Sequence, residues 1–541
     1  MDNWIAELKK GFKGDVLMDE ETLETYSKDA SVFQVRPKIV VFPKDAEDVQ
    51  YLVKFVKGRK GLSLTARAAG TDMTGGPLTE SIVVSFTKYI NHIKKLDKKH
   101  AVVEPGLYYR DLEKEMDKIG VMYPSYPASK GLCAMGGIVA NNAGGEKTFV
   151  YGQTVDHVNK LRVVLADGKV YELKPLNKVE LKAKMKKKDF EGKLYRDIYN
   201  LCEKNYELIK SAEPHVSKNS SGYFLWRVWD RKTFDLSKLF VGSQGTLGMW
   251  LEADVNLVKK NKHSRLVVIS LHDLTKISDL IKTVKKYNPE SLECFDKYTI
   301  WLGLKFMPEI AKKVHKNLLA FLWDFRRQAE SALFHGFPGF MVLVELTGDK
   351  EKEIQKRADN LSKELSSGKI TNLVMQSEEE GEKYWVMRRE SFNLLRQKVK
   401  NKMAAPFVDD FSIKPEYLSE FIPQLYKLLQ DNGIQPTLAG HVGDGNFHII
   451  PLMDLKQEKE RRKIEPVLSK FVDLVCKYKG TITAEHNDGL IRTPYLEKQY
   501  GKKMVRVFEE VKDIFDKDGI FNPGKKVRAN IKFAESHIKA K

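Results

Sequence analysis

The chain has 541 residues, of which 42% are hydrophobic and 10% aromatic, which indicates a folded protein of roughly two or three domains rather than a disordered one. Its net charge of +19 comes largely from lysines scattered over amphipathic helices. No helix-turn-helix, RNA-recognition or zinc-finger pattern accompanies this charge, so nucleic-acid binding is disfavoured.

The four cysteines lie far apart without a Cys-x-x-Cys pair, which disfavours disulfide scaffolds, zinc ribbons and iron–sulfur clusters. No apolar run is long enough to span a membrane and the N-terminus lacks a signal-peptide core, so we expect a cytoplasmic protein. Peripheral contact with the inner face of a membrane is left open. The aromatic, basic stretch Phe321–Arg327 is compatible with such a contact, but packing inside the second domain explains it better.

The predicted elements begin with short buried strands. Pro37–Pro43 is an apolar run between prolines, typical of such a strand, and Asp45 can cap the helix that follows. Leu62–Thr65 and Ile82–Phe86 predict two further strands. The loop between them, Arg67–Gly76, is made of small residues whose backbone N–H groups can approach an anion, as a phosphate nest requires. No Gly-x-Gly-x-x-Gly motif follows a strand, so the usual dinucleotide fold is not indicated.

Two further tracts of small residues follow. Met135–Gly145 leaves room for a flat ring system or phosphates to lie against the main chain. Leu161–Leu173 then predicts a hairpin around an Asp-Gly pair. The third tract, Phe240–Gly248, precedes an apolar strand at Ala253–Val258. Taken alone, either of the first two tracts is explained as a glycine-rich turn that binds nothing.

The segment Gly440–His448 places two histidines symmetrically about Asp444-Gly445, the preferred centre of a two-residue type I′ turn. Such a turn would make His441 and His448 a directly opposed cross-strand pair, with Cβ atoms roughly 4.5–5.5 Å apart. That separation suits two nitrogens that bind one metal ion. For the segment alone, a tight surface hairpin whose histidines merely pack is the alternative.

Glu485, within Ala484–Gly489, is a third candidate ligand. Two histidines and one glutamate form a common ligand set for a divalent metal such as zinc or manganese, with positions left open for substrate. His486, adjacent to this glutamate, would be a base close to the metal but not bound to it.

In their order and spacing, the three small-residue tracts resemble the flavin-binding domain of the vanillyl-alcohol-oxidase type. Gly440–His448, Ala484–Gly489 and a final Phe521–Lys525 resemble the linked substrate domain of D-lactate, glycolate and D-2-hydroxyglutarate dehydrogenases. The resemblance extends over nearly the whole chain, and five ordered motifs rarely coincide by chance.

The resemblance implies an α+β fold. A two-part flavin-binding domain of the vanillyl-alcohol-oxidase type would be followed by an α+β substrate domain, or cap, with an antiparallel sheet. The expected bounds are 1–258 for the FAD-binding domain, with its core at about 35–258, then 259–528 for the substrate domain, and 529–541 for a basic tail. The second of these ranges includes a C-terminal segment that contacts the flavin.

FAD is the cofactor that the resemblance implies. The first tract would wrap its pyrophosphate, although it reads Arg-Ala-Ala-Gly where the family more often has Arg-Gly-Gly-Gly, and the second would hold adenosine and more pyrophosphate. No His, Tyr or Cys stands in the first tract, so we expect non-covalent FAD. The expected cofactor-binding residues are Arg67, Ala68, Ala69, Gly70, Thr71, Asp72, Gly76, Pro124, Gly136, Gly137, Asn141, Gly144, Gly145 and, reaching the flavin ring, Asn522.

In the substrate domain the resemblance implies that Arg388, on a helix, binds the carboxylate of a small 2-hydroxy acid through its fork. Without the family context, a solvated helical face explains this arginine nearly as well. The metal held by His441, His448 and Glu485 would bind the hydroxyl and carboxylate of the substrate and lower the pKa of the hydroxyl. His486 would take the hydroxyl proton while the C2 hydrogen passes as hydride to the flavin.

Three positions depart from the family pattern. The Glu-His pair is normally followed by glycine, but here by Asn487-Asp488. Where some hydroxyglutarate-type members carry a lysine for a second carboxylate, this chain has Val408, which favours a monocarboxylate such as lactate or glycolate. Gln244 stands where acidic residues are common, and the sequence gives no reason for it.

The leading prediction is therefore an FAD-dependent 2-hydroxy acid dehydrogenase of the D-lactate or glycolate type. Its electrons would pass to a quinone, a cytochrome or a separate iron–sulfur subunit. The alternatives are D-2-hydroxyglutarate-type oxidation of a dicarboxylate, a non-redox flavin transferase of the alkyl ether-phospholipid synthase type, and a non-enzymatic flavoprotein subunit or lysine-rich binding module. The Arg388 element, the two histidines and the Glu-His pair speak against the transferase.

Overall fold

The computed structural model describes residues 3–305, 308, 336–368, 370–398, 402–435 and 437–539. The aromatic stretch Phe321–Arg327 lies outside the described residues. No helix in the described part of the chain has the length and apolar character needed to cross a membrane.

A four-stranded sheet opens the fold, with the strand order β1-β2-β4-β3. Its strands are β1 (Asp15–Leu17), β2 (Ile39–Phe42), β3 (Leu64–Arg67) and β4 (Ile82–Ser85). β2, β4 and β3 run parallel, whereas β1 pairs antiparallel with β2. Every residue of β2 and β4 is buried, which accounts for their continuous apolar runs, because a strand covered on both faces needs no polar side.

Three helices accompany this sheet: α1 (Asn3–Gly11), α2 (Glu20–Tyr26) and α3 (Ala46–Val56). α3 begins at the predicted cap, since the Asp45 carboxylate accepts a hydrogen bond from the N–H of Asp48. The apolar face of α3 packs in one hydrophobic core with β2, β3 and β4, as its helical spacing predicts.

A five-stranded antiparallel sheet forms the second part of the first domain, in the order β5-β6-β10-β8-β9. A two-stranded ribbon of β7 and β11 adjoins it. The strands are β5 (Ile93–Leu96), β6 (His100–Val103), β7 (Val121–Met122), β8 (Val158–Val164), β9 (Val170–Leu173), β10 (Met249–Asn256) and β11 (Val258–Lys259). β8 and β9 are the predicted hairpin, with Leu161 opposite Leu173.

Eight helices in the described chain accompany the second sheet. They are α4 (Tyr109–Lys118), α5 (Met135–Asn141), α6 (Thr148–Tyr151), α7 (Thr154–His157), α8 (Lys178–Lys186), α9 (Phe190–Lys204), α10 (Tyr206–Ser211) and α11 (Ser237–Phe240). The second tract of small residues builds α5, and the third follows α11. The first domain thus has the predicted two-part construction.

A seven-stranded sheet forms the second domain, in the order β15-β12-β14-β13-β18-β19-β17. The strands after β11 are β12 (His263–Leu271), β13 (Ser291–Asp296), β14 (Phe340–Gly348), β15 (Thr371–Val374), β16 (Met403–Ala404), β17 (Phe411–Ser412), β18 (Leu438–His441), β19 (Asn446–Ile449) and β20 (Leu452–Met453). Each neighbouring pair in the sheet is antiparallel, which confirms the predicted antiparallel sheet.

The two faces of this sheet have different neighbours. One packs against α12, α14, α16 and α18, and the other against α13 and α15. At β18 and β19 the second face turns toward the first domain. The helices of this half are α12 (Ile277–Lys285), α13 (Lys297–Lys305), α14 (Glu351–Ser367), α15 (Glu378–Lys398), α16 (Leu418–Asp431), α17 (Glu458–Arg461), α18 (Ile464–Lys477), α19 (Gly489–Arg492), α20 (Leu496–Phe515) and α21 (Ile531–Ser536).

After α20 the chain returns to the first domain. The N–H of Leu64 donates to the carbonyl of Ile520, and the N–H of Asn522 donates to the carbonyl of Leu64. The segment predicted as a basic tail contains α21, and its end packs on the first domain: the ammonium of Lys539 donates to the carbonyl of Ser31 over 2.6 Å. The C-terminal segment is therefore a structural part of the first domain.

A buried ion-pair cluster also joins the two domains. The ammonium of Lys147, just before α6, lies 2.5 Å from the carboxylate of Glu290 and 2.7 Å from that of Glu345 on β14. Burial would lower the pKa of this lysine, but the two carboxylates outweigh burial and raise it. This one ammonium thus pairs with two carboxylates that have little access to water.

We predict that Lys147→Met destabilises the protein by about 3–5 kcal/mol, because it leaves two buried carboxylates without a cation. Urea unfolding followed by fluorescence measures the effect. Lys259→Met is the matched control, since Lys259 pairs with Asp349 at 2.6 Å on the exposed surface, where an ion pair adds little to stability. Equal shifts for the two variants would contradict the assignment.

Candidate active site

A cavity of about 830 Å³ lies between the two domains. The three tracts of small residues line one end, and side chains from β18 and β19, from α15 and from the 485–486 segment line the other. The elements that the sequence singled out separately therefore meet around one space.

The predicted pairing of the two histidines across a two-residue turn is wrong. β18 and β19 pair with His441 opposite Asn446, so His448 lies two residues further along β19. The connection has four residues because Val442–Asp444 form a 3-10 turn, which Gly445 ends with a φ of +63°. The even offset still places both histidines on one face of the sheet, with ring centroids 5.4 Å apart.

Glu485 joins these two histidines. One donor atom from each of His441, His448 and Glu485 lies within 4.8 Å of the other two. Nε2 of His441 is 3.1 Å from Oε1 of Glu485. Two imidazole nitrogens and a carboxylate oxygen are ligands that zinc and manganese accept, so this donor set fits such an ion.

A lysine that the sequence analysis missed holds the same glutamate. Lys218 belongs to the first domain and is fully buried, with its Nζ 2.5 Å from Oε1 of Glu485 and 3.4 Å from Oδ2 of Asp444. Burial lowers a lysine pKa, yet these carboxylates raise that of Lys218. In spite of its own burial, Glu485 has a pKa well below the usual value, because Lys218 and His441 stabilise the carboxylate.

Glu293 on β13 holds both a predicted metal ligand and the predicted substrate arginine. Its Oε1 is 2.6 Å from Nδ1 of His441, and its other oxygen pairs with the guanidinium of Arg388. Burial would raise the pKa of Glu293, but Arg388 and His441 outweigh it and lower the pKa. A proton on Nδ1 of His441 then faces Glu293, while Nε2 faces Glu485.

Arg388 lies on α15, the predicted helix, and lines the cavity with 7% of its surface exposed. Its Nε is buried and makes no hydrogen bond to any residue that the structure describes. A buried guanidinium with a free donor at a cavity wall is suited to an anion, because an unpaired buried donor is costly.

Asp409, which precedes β17, lies between two of the histidines. Its Oδ1 is 3.3 Å from Nδ1 of His448 and its Oδ2 is 3.0 Å from Nδ1 of His486. The two imidazoles stack, with centroids 5.0 Å apart and planes at 22°. Burial lowers the pKa of His486, but the nearby carboxylates of Asp410 and Asp409 outweigh burial and raise the pKa to about 9.

Asp410 shapes the loop that carries the Glu-His pair. Its carboxylate accepts hydrogen bonds from the N–H groups of Ala484, Glu485 and His486 and from the hydroxyl of Thr483. Asp410 itself has a φ of +62°, a conformation that aspartate tolerates better than most residues. The donor atoms of Asp409, His448 and His486 also lie within 4.8 Å of one another, so they form a second group that meets the distance condition for a metal.

The structure explains the unusual residue after the Glu-His pair. Asn487 has a φ of +70°, where glycine or asparagine is favoured. Its amide donates to the carbonyls of Asn141 and Gly242, and its Oδ1 accepts a hydrogen bond from the ammonium of Lys526 over 2.7 Å. Asparagine at this position therefore ties the loop of His486 to the second and third tracts.

Gln244 acquires a role that an acidic residue could not fill. Its Nε2 lies 3.3 Å from Oδ1 of Asn141 and 3.4 Å from Oγ1 of Thr74, so it donates across two tracts. Its Oε1 accepts a hydrogen bond from the N–H of Gly489 over 2.8 Å. A carboxylate would lack the donor.

The first tract presents free backbone donors to the cavity. Oδ1 of Asp72 accepts hydrogen bonds from the N–H groups of Thr74 and Gly76, which fixes the loop. Among the described residues, the N–H groups of 69–71 have no hydrogen-bond acceptor. Neighbouring free amides in a loop of this kind suit a phosphate, and FAD supplies two.

Most of the predicted cofactor residues line this cavity, but Pro124, Gly144, Gly145 and Asn522 do not. The side-chain amide of Asn522 instead donates hydrogen bonds to the carbonyls of Gly76 and Gln244, over 3.0 Å and 2.7 Å. The third tract, to which the sequence analysis assigned no binding residue, also lines the cavity. Its lining residues, with those of β10, are Phe240, Ser243, Gln244, Gly245, Gly248, Met249 and Trp250.

Comparisons with known proteins agree with this geometry. Two family models match the chain: an FAD binding domain over residues 37–174 and the C-terminal domain of FAD linked oxidases over 260–526. A D-2-hydroxyglutarate dehydrogenase of Escherichia coli (strain K12) is 27% identical over 97% of this chain, which spans only 51% of that protein. A D-lactate dehydrogenase of Anaerostipes hadrus is 25% identical over 94% of each chain.

Solved structures confirm the fold. A 4-ethylphenol oxidase from Gulosibacter chungangensis has a TM-score of 0.69 over 98% of both chains at 15% identity. An alkyldihydroxyacetonephosphate synthase has a TM-score of 0.65 at 14% identity, over 97% of this chain and 85% of that one. The predicted α+β fold with a flavin domain of the vanillyl-alcohol-oxidase type is thus confirmed.

Asp29 leads to a prediction about cofactor binding. Enclosure beside the first tract, with Asp72 close by, raises the pKa of Asp29 to about 7, and the residue lines the cavity. Its carboxyl therefore loses its proton between pH 6 and 8 and gains a negative charge near the expected pyrophosphate. We predict that the Kd of FAD for the flavin-free protein rises about tenfold over this range, as about 1.4 kcal/mol of repulsion gives.

Fluorescence titration of FAD at several pH values measures this change, with Asp29→Asn as the test variant. Asparagine has nearly the same size but cannot ionise, so the Kd of FAD for this variant should stay nearly constant with pH. If the Kd of FAD changes equally with pH in the wild-type protein and in Asp29→Asn, another group is responsible for the change.

Proposed function

We propose that this chain, which belongs to the FAD linked oxidases, is a flavin-dependent dehydrogenase that oxidises a 2-hydroxy acid of the D-lactate or glycolate type to the 2-oxo acid. One observation carries the proposal. A single cavity is lined by Arg388, by His486 and by the grouped donor atoms of His441, His448 and Glu485, opposite the tracts of small residues.

Arg388 would bind the substrate carboxylate. Its guanidinium is held by Glu293, which fixes the fork while leaving Nε without a partner among the described residues. A fork–carboxylate contact is geometrically specific as well as strong, so it would orient C2 of the substrate toward the flavin end of the cavity.

His486 would accept the proton of the substrate hydroxyl. Asp409 lies 3.0 Å from Nδ1 of His486, so its negative charge favours a proton on that nitrogen and would leave the lone pair of Nε2 available to the substrate. The hydrogen bond from the N–H of His486 to Asp410 fixes the backbone beneath the ring. Both aspartates therefore act through the orientation of the base.

The cofactors would supply the remaining chemistry. FAD, when bound, accepts the hydride from C2 of the substrate. A zinc or manganese ion held by His441, His448 and Glu485 would lower the pKa of the substrate hydroxyl and, as a neighbouring cation, favour the neutral form of His486. We expect FAD to be held without a covalent bond, since burial raises the pKa of Cys133, the cysteine on the cavity wall, to about 12 and keeps it a thiol.

The electrons would pass from the flavin to a quinone, a cytochrome or a separate iron–sulfur subunit. A cytoplasmic location, with peripheral contact to the inner face of a membrane, belongs to the proposal as well. The transferase alternative shares the fold, since the synthase structure is similar at low identity, so the fold does not separate the two. The contacts of Glu293 with Arg388 and His441 favour the hydroxy acid, because they place an anion site beside the metal donors.

We predict that the purified protein is yellow, releases its FAD on heat denaturation, and reduces a dye with one or more D-2-hydroxy acids. His486→Gln should lower turnover by about 10²–10⁴-fold, the usual contribution of a general base, while the flavin absorption stays unchanged. His92→Gln, at an exposed position 66% accessible in its side chain, is the control. A colourless protein, or full turnover without His486, would contradict the proposal.

A second prediction concerns the metal. Glu293→Gln should weaken zinc or manganese binding by about 10–100-fold, because the histidine ligand loses the carboxylate that orients it. Competition with a chromophoric chelator measures the affinity, and Glu252→Gln, which removes a surface pair with Arg162, is the control. If chelation leaves both turnover and the flavin spectrum of the wild-type protein unchanged, the metal has no part in the reaction.

A further inference from the structure

The sheet face beside the histidines carries hydrocarbon side chains. Ala439 on β18 lies directly opposite His448, and alternation places Ile450 on the same face, two residues after His448. Both line the cavity, with 4% of the surface of Ala439 and 7% of that of Ile450 exposed. A substrate between Arg388 and His448 would therefore contact an apolar wall.

The charges at this end of the cavity are unequal. Among the described wall residues beyond residue 259, Arg388 is the one lysine or arginine, whereas Asp409 and Glu485 are acidic. Lys218 is engaged by Glu485 and does not lie on the wall. Val408 is fully buried in the hydrophobic core and brings no polar group to the cavity.

One guanidinium can hold one carboxylate of the substrate. With the first carboxylate and the hydroxyl held by Arg388 and the metal, a second carboxylate would lie against the wall of Ala439 and Ile450, where the described wall beyond residue 259 offers no second lysine or arginine. A carboxylate removed from water against such a wall is disfavoured, because no ion pair compensates its desolvation. A hydrocarbon chain in the same place gains from leaving water.

We propose that Ile450 and Ala439 determine specificity, and that the substrate is a 2-hydroxy monocarboxylate whose chain beyond C2 is a hydrocarbon. The inference rests on the proposed function, because it names the class of acid that the same site oxidises. The proposed substrate therefore differs from D-2-hydroxyglutarate, the dicarboxylate for which the E. coli relative is named. The inference also favours D-lactate and D-2-hydroxybutyrate over glycolate, which has no such chain.

Turnover of a panel of acids by the wild-type protein tests the class. An added methylene in an apolar pocket raises kcat/KM by about tenfold or more, so kcat/KM should rise from glycolate to D-lactate to D-2-hydroxybutyrate. The value for D-2-hydroxyglutarate should be at least about 100-fold below that for D-2-hydroxybutyrate. The opposite order would overturn the inference, whereas reduction of the flavin by any of these acids would still support oxidation of a 2-hydroxy acid.

Two variants of Ile450 test the residue. Ile450→Lys adds a cation to the wall, so the ratio of kcat/KM for D-2-hydroxyglutarate to that for D-2-hydroxybutyrate should rise by about 100-fold. Val179→Lys, which adds the same charge at a position 77% exposed, should leave the ratio unchanged. Ile450→Val is a milder change that serves if the lysine disturbs folding. We expect it to lower kcat/KM for D-2-hydroxybutyrate more than for D-lactate.

A binding measurement completes the test without turnover. The Kd values of 2-oxobutyrate and 2-oxoglutarate, read from the change in flavin absorption, should favour 2-oxobutyrate in the wild-type protein and shift toward 2-oxoglutarate in Ile450→Lys. An unchanged Kd ratio would overturn the role of Ile450. A flavin-loaded protein that no 2-hydroxy acid reduces would instead overturn the proposed function, and this inference with it.

Discussion

The contact of Glu293 with both His441 and Arg388 is the constraint on which the site depends. A carboxylate without access to water must be paired, and here one oxygen holds an imidazole while the other holds a guanidinium. The same pairing repeats where Lys218 and His441 meet Glu485, and where His448 and His486 meet Asp409. Each of the three histidines thus has a carboxylate beside it, and the ligand Glu485 has the ammonium of Lys218.

This network also requires the two domains to be docked. Lys218 comes from the first domain and Glu485 from the second, and Asn487 bonds to carbonyls of the second and third tracts. The groups that would act on the substrate are therefore fixed against the loops that would hold FAD. Because buried polar groups in such a network satisfy one another, loss of one member leaves its partner unpaired, so we expect coupled rather than independent effects of mutation.

The sequence predicted what depends on local pattern. The buried strands and the cap at Asp45 follow from local sequence pattern, whereas the antiparallel sheet of the second domain was implied by the family resemblance. The hairpin register failed, because an Asp-Gly pair is compatible with more than one turn and the 3-10 turn at Val442–Asp444 was not foreseeable from composition. The wrong register still predicted both histidines on one face, since His448 lies two residues, an even number, beyond the residue that pairs with His441.

The charged partners could not be predicted in the same way. Glu293 and His441 are 148 residues apart, and Lys218 and Glu485 are 267 apart, so no spacing rule joins them. A single glutamate in β13, where every residue is buried, is a signal that could have been noticed. For Lys218 the local sequence offers none, and only the docking of the domains shows why a lysine is buried there.

The central claim is that His441, His448 and Glu485 form the metal site beside a bound flavin. Crystals of the FAD-loaded protein grown with zinc, with diffraction recorded on both sides of the zinc absorption edge, test it most directly. The account predicts one strong anomalous peak about 2.0–2.3 Å from Nε2 of His441 and within ligand distance of His448 and Glu485. A peak among Asp409, His448 and His486 instead, or no peak in crystals grown with excess zinc, would contradict the claim.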